Sequence, residues 1–134
     1  MEVALRRRLA GVARISISSL DGGAAERLAE GTAWMNDVSA DGRWLMFNTD
    51  RVQSGTDLRV IPATGGTPQP FAEQANNPGG AQFLPDGRWV AYHEEESGPT
   101  DVYVEAFPKG GRRQRLSPNG GHHAQWRADG RAIY

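Results

Sequence analysis

Apolar residues along this chain fall into short runs, never into a long helical stripe. Trp44-Leu45-Met46-Phe47, Trp89-Val90-Ala91-Tyr92 and Ala132-Ile133-Tyr134 are continuous apolar stretches. Runs of this length bounded by turn residues predict strands. Continuous instead of alternating apolarity predicts a sheet covered on both faces. Shorter stretches precede each run: Val38, Ala81 to Leu84, and Ala124 to Trp126. Polar loops such as Asn48 to Gly55 and His93 to Pro99 follow, then a third group at Ile15–Ser19, Leu58–Pro62 and Val102–Phe107. A fourth closes each unit at Arg27-Leu28, Gln69–Phe71 and Arg113–Leu116.

The units repeat. Asp41-Gly42-Arg43, Asp86-Gly87-Arg88 and Asp129-Gly130-Arg131 are spaced 45 and 43 residues apart. Gly22-Gly23, Gly65-Gly66 and Gly110-Gly111 keep spacings of 43 and 45. Thr56-Asp57-Leu58 and Thr100-Asp101-Val102 open matching segments. In Leu84-Pro85-Asp86-Gly87, proline pre-sets φ for the first corner of a type I turn, aspartate suits the second, and glycine accepts positive φ on re-entering the partner strand. Asp41, Gly42, Asp86, Gly87, Asp129 and Gly130 are therefore read as structural turn residues. With 17 glycines and 8 prolines in 134 residues, helices have little room.

Four short strands per period of about 40–45 residues predict an all-β fold, a β-propeller of four-stranded antiparallel blades. The expected division is an N-terminal segment at 1–13, the remnant of a preceding strand and loop, and a part-blade at 14–32 with third and fourth strands. Whole blades follow at 33–79 and 80–121, then a part-blade at 122–134 with first and second strands. Closed propellers have about four to eight blades, so these units are expected to be a fragment of a larger ring. The isolated chain is expected to self-associate through uncovered apolar faces and strand edges where the remaining blades are missing.

The Asp-Gly-Arg corners followed by an apolar strand ending in an aromatic resemble the WD40-like, TolB-type propeller repeats of bacteria. Gly87-Arg88-Trp89-Val90-Ala91-Tyr92 and Asp101-Val102-Tyr103-Val104-Glu105-Ala106-Phe107-Pro108 are most similar to the propeller attached to bacterial serine/threonine protein kinases. So is Gly120-Gly121 followed by Gln125-Trp126-Arg127-Ala128-Asp129-Gly130-Arg131. Ala40 and Ala128 stand where the family prefers proline. The resemblance implies a surface for protein or peptide partners and a periplasmic or cell-surface setting. It does not carry kinase activity here, since no kinase motif is present.

Composition narrows the chemistry. A net charge of −1 gives no reason to expect nucleic acid or an anionic membrane as partner. Cysteine is absent, which removes thiol nucleophiles and thiolate metal sites. No Gly-x-Ser-x-Gly elbow, Walker loop or dinucleotide fingerprint occurs. Gly79-Gly80 and Gly120-Gly121 lack a following helix and make weak phosphate cradles. His122 and His123 precede a first strand, the strand that lines a propeller's channel, and are the candidate channel-mouth ligand contact. Adjacent residues on a strand face opposite ways, so a shared metal is not expected. The run Glu94-Glu95-Glu96 is read as a solvated loop in preference to a cation or basic-peptide contact. Arg112, Arg113 and Arg115 are read as charges that blunt an outer edge. Trp44 and Trp89 share a repeat position and mark packing between blades. No cofactor and no catalytic residue is expected. The function read from the sequence is a non-catalytic binding module. The alternative is the propeller portion of an enzyme, a prolyl-oligopeptidase-type peptidase or a metal-dependent hydrolase or lyase.

Overall fold

A computed structural model of the chain describes residues 2–9, 12–19, 26–29, 33–51, 55–95, 99–117, 119–121 and 124–134, the first three stretches by their backbone. Eleven strands occur among them: β1 Glu2–Leu9, β2 Val12–Ser19, β3 Glu26–Ala29, β4 Ala33–Val38, β5 Trp44–Asp50, β6 Thr56–Pro62, β7 Gln69–Phe71, β8 Pro78–Phe83, β9 Trp89–Glu94, β10 Asp101–Ala106 and β11 Arg113–Arg115. They form antiparallel meanders in chain order: β1-β2-β3, then β4-β5-β6-β7, then β8-β9-β10-β11. A last hairpin is begun by the antiparallel bridge between Trp126 and Ile133. Helix is absent among the described residues.

The boundaries differ in detail from those the repeat suggests. β1 pairs with β2 from Glu2↔Ser19 to Leu9↔Val12, so residues 2–9 belong to the first sheet and residue 14 lies inside β2. β8 begins at Pro78, so residues 78–79 belong to the third sheet. Glycine spacing marks the corners but not the residue at which a ladder begins.

Successive sheets stack face to face, and the alternation of a strand explains how. In β5, Leu45 and Phe47 join Ala33, Ile61, Ala63 and Met35 in one cluster. The intervening Met46 points the other way, into a cluster that joins Leu58, Val60 and Phe71 of the second sheet to Phe83, Val90, Tyr92 and Phe107 of the third. In β9, Ala91 faces a third cluster with Val102, Val104, Ala124, Trp126 and Ile133. Each middle strand is therefore apolar on both faces, because each face meets a different neighbour. The two tryptophans at one repeat position sit at two successive contacts. Trp44 meets the Phe107 ring edge-on at 5.5 Å between centroids, and Trp89 packs against the cluster of Ala91, Val102, Val104 and Ala124. Burying a large side chain of this kind contributes about 2–3 kcal/mol.

Candidate binding cleft

The three Asp-Gly corners have one geometry. The amides of Gly42, Gly87 and Gly130 each donate to the carbonyl three residues back, at 2.8 Å in every case. Each glycine lies at positive φ: +71°, +72° and +69°. Each aspartate Oδ1 accepts the amide two residues on, from Arg43 at 3.0 Å, Arg88 at 2.9 Å and Arg131 at 3.0 Å. Asp41 also accepts the Ser39 hydroxyl at 2.6 Å. That bond, with the Arg43 amide, holds the Asp41 carboxyl below the usual carboxylate range. These carboxylates are committed to shaping the turn.

A second recurring device joins one sheet to the next. Asp37 and Gln82 are 45 residues apart, the spacing of their corners. Asp37 Oδ2 accepts the amide of Phe83 at 2.8 Å, and Gln82 Oε1 accepts the amide of Trp126 at 2.9 Å. The first strand of each unit thus captures an N–H of the following first strand. Burial raises the Asp37 pKa, and the Phe83 and Val38 amides partly offset that. Nearer the start of the first strands, Asn48 donates to the Pro78 carbonyl at 2.7 Å and accepts from the Asn36 amide at 2.6 Å. Asn36 Oδ1 accepts from Ala81 N at 3.2 Å, and Thr56 Oγ1 donates to the same Pro78 carbonyl at 2.8 Å.

Above this seam, at the end of the sheets opposite the corners, lies a cleft of about 370 Å³. β4 supplies Trp34 to it. The start of β6 supplies Thr56, Asn77 precedes β8, the start of β8 supplies Gly79 and Gly80, the end of β9 supplies His93, and Glu95 follows it. Trp34 faces this way because Met35 beside it packs into the cluster on the other face. A Cβ on Gly80 would lie 2.6 Å from His93 Nδ1, and one on Gly79 would lie 2.8 Å from Nε2. Glycine at both positions is what lets the imidazole lie against the backbone. Asn77 has φ +49°, a conformation asparagine tolerates better than most residues. Its Oδ1 lies 3.2 Å from Thr56 Oγ1 and shares that hydroxyl's one proton with the Pro78 carbonyl, and its Nδ2 donates to Glu95 Oε2 at 2.7 Å. Thr56 and Asn77 thereby hold the Glu95 carboxylate in a set position.

The acidic run is not uniformly solvated. Glu94 ends β9 at 1% exposure, and the Arg113 guanidinium reaches it at 2.9 Å. Arg113 also lies 4.0 Å over the Tyr103 ring, so it belongs to a half-buried cluster as well as to an outer edge. Alternation explains the difference: Glu94 points into the sheet packing and Glu95 into solvent. Glu96, His122 and His123 lie outside the described residues. No group of three or more His, Asp or Glu side chains that could hold a metal occurs among the described residues.

Solved structures share this stacking of sheets. A TolB structure from Agrobacterium tumefaciens superposes with a TM-score of 0.83 over 96% of this chain, at 17% identity. The chain has the β-propeller fold. TolB from Acinetobacter baumannii superposes with a TM-score of 0.78 over 98% of the chain, also at 17% identity. The propeller segment described here spans 47% and 34% of those two chains. No protein-family model and no curated protein matches it. In propeller terms, the cleft opens between two blades where their first strands begin. Its residues come from four strands and the positions flanking them, and apart from Thr56 they belong to no recurring motif, so the sequence does not mark them as one site. The available signal was Gly79-Gly80, which the repeat aligns with Trp34-Met35 and His122-His123.

Proposed function

We propose that this propeller segment is a non-catalytic recognition module that binds a protein or peptide partner at the face opposite the Asp-Gly corners. One contrast supports the reading. Side chains at recurring positions, Thr56 among them, are used within corners and inter-blade bonds, whereas Trp34, the Gly79-Gly80 pair and His93 of the cleft change from blade to blade. Trp34, Gly79 and His122 are equivalent, as are Asn48 and His93. A constant scaffold with variable residues at loop ends is how a rigid fold carries specificity.

The remaining blades of a larger ring, in a TolB-like or kinase-attached sensor protein, are the second kind of partner. Gln125 holds the position of Asp37 and Gln82 in its own unit and is exposed. It supplies the same acceptor to the N–H of a further first strand. A second copy of the chain takes that place where other blades are missing.

The test is selection of peptides from a displayed random library on the immobilised chain, followed by titration. Substituting Trp34 or Asn77 with Ala is expected to abolish binding of the selected peptides, while Arg43→Ala at the opposite end leaves it unchanged. Peptides that bind all three variants equally would overturn the assignment of this face.

A further inference from the structure

We propose that the cleft between the second and third sheets takes a positively charged side chain, arginine or lysine, of a peptide partner. This rests on the reading of that face as the binding face and adds the chemistry of what enters it. Among the described residues, exposed Asp57 and Asp129 pair with Arg51 and Arg127, and the buried Asp101 and Glu94 pair with Arg115 and Arg113. Glu95 has no ion pair among the described residues, and what orients it is the neutral amide of Asn77 at 2.7 Å. Asn77 is itself held by Thr56 and by a left-handed backbone. The result is a preset, un-neutralised carboxylate at the rim of a cleft.

The rest of the lining agrees in sign and shape. No Lys or Arg lines the cleft among the described residues, and Glu95 is the carboxylate that lines it there. The indole of Trp34, half-buried, forms part of the opposite blade's wall. An aromatic face with a carboxylate attracts a cation by its quadrupole and by direct charge pairing. A volume near 370 Å³ admits one long side chain and its flanking backbone but not a folded domain. A neutral sugar would also stack on an indole, but it would leave the carboxylate uncompensated.

The experiment is a two-dimensional NMR titration of the full 134-residue chain with three probes. They are a blocked Gly-Arg-Gly peptide, its citrulline counterpart of equal size and no charge, and maltose. The arginine peptide is expected to move the Trp34 indole N–H and the Glu95 amide, with affinity falling as salt rises. Glu95→Gln keeps the carbonyl oxygen that faces Asn77 and should weaken binding about fivefold, the range of an exposed ion pair. Trp34→Leu should weaken it about threefold through loss of the cation–π contact. Equal shifts with the citrulline peptide, or shifts with maltose, overturn the cationic class and leave the binding face standing. No shift at cleft resonances with any probe overturns both.

Discussion

Asn48 offers the sharpest test of how one blade is fastened to the next. It is fully buried, accepts from Asn36 at 2.6 Å, and donates to Pro78 O at 2.7 Å and Asp57 O at 3.3 Å. Asn48→Ala removes all three contacts. The Pro78 carbonyl keeps the Thr56 hydroxyl and Asp57 keeps its place opposite Thr49 in the ladder, so the group left short is the Asn36 amide. One unmet buried polar group costs about 1–3 kcal/mol, and the lost side-chain volume adds to it, so the expected loss is about 3 kcal/mol. For a chain of this length that lowers Tm by about 10 °C. Asn48→Asp is nearly isosteric and should cost more, because it removes both donors and sets a carboxylate oxygen against the Pro78 carbonyl. Thermal melts followed by circular dichroism, paired with urea unfolding, read both variants. A double-mutant cycle with Thr56→Val should show coupling, since the two side chains share one acceptor. If Asn48→Ala costs less than about 0.5 kcal/mol, or Asn48→Asp costs less than Asn48→Ala, the seam is not held by this network.

At Gly42 and Gly87 an added Cβ meets nothing within 4 Å, so alanine at either costs only the left-handed backbone, about 1–2 kcal/mol and equal at both, by chemical denaturation. Gly80→Ala should cost more than either because its Cβ strikes the His93 ring, and adding His93→Ala should recover part of the loss. Gln82→Ala should destabilise by about 1 kcal/mol, read as faster hydrogen exchange at the Trp126 amide, with Asp37→Ala doing the same at Phe83. Tyr92 donates to Glu105 at 3.0 Å, and burial, then the Glu105 charge, holds its phenol well above the ordinary tyrosine pKa. A pKa raised on folding means stability present below the unfolded value, about 10, and lost as pH rises beyond it. Tyr92→Phe should flatten that alkaline slope in urea titrations, and an unchanged slope would exclude Tyr92 as its source.

Repetition made the fold legible in the sequence. Corners of the Asp-Gly-Arg kind depend on local φ preferences and on an aspartate reaching an amide two residues away, so they are written in four consecutive residues. Continuous apolar runs such as Leu45-Met46-Phe47 declared middle strands covered on both faces before any neighbour was known. The individual fates of adjacent polar residues were decided only by packing. Glu94 and Glu95 are the same residue type one position apart, yet one is buried against Arg113 and the other faces solvent, because strand alternation and the ladder's start set their sides. The cleft belongs to that second class. Trp34, Asn77, His93 and Glu95 are separated by up to 61 residues in sequence and meet only because two stacked sheets bring the entry ends of their first strands together. Local chemistry determined the repeating unit. The stacking of units decided which side chains share a surface, since that depends on contacts between residues a full period apart.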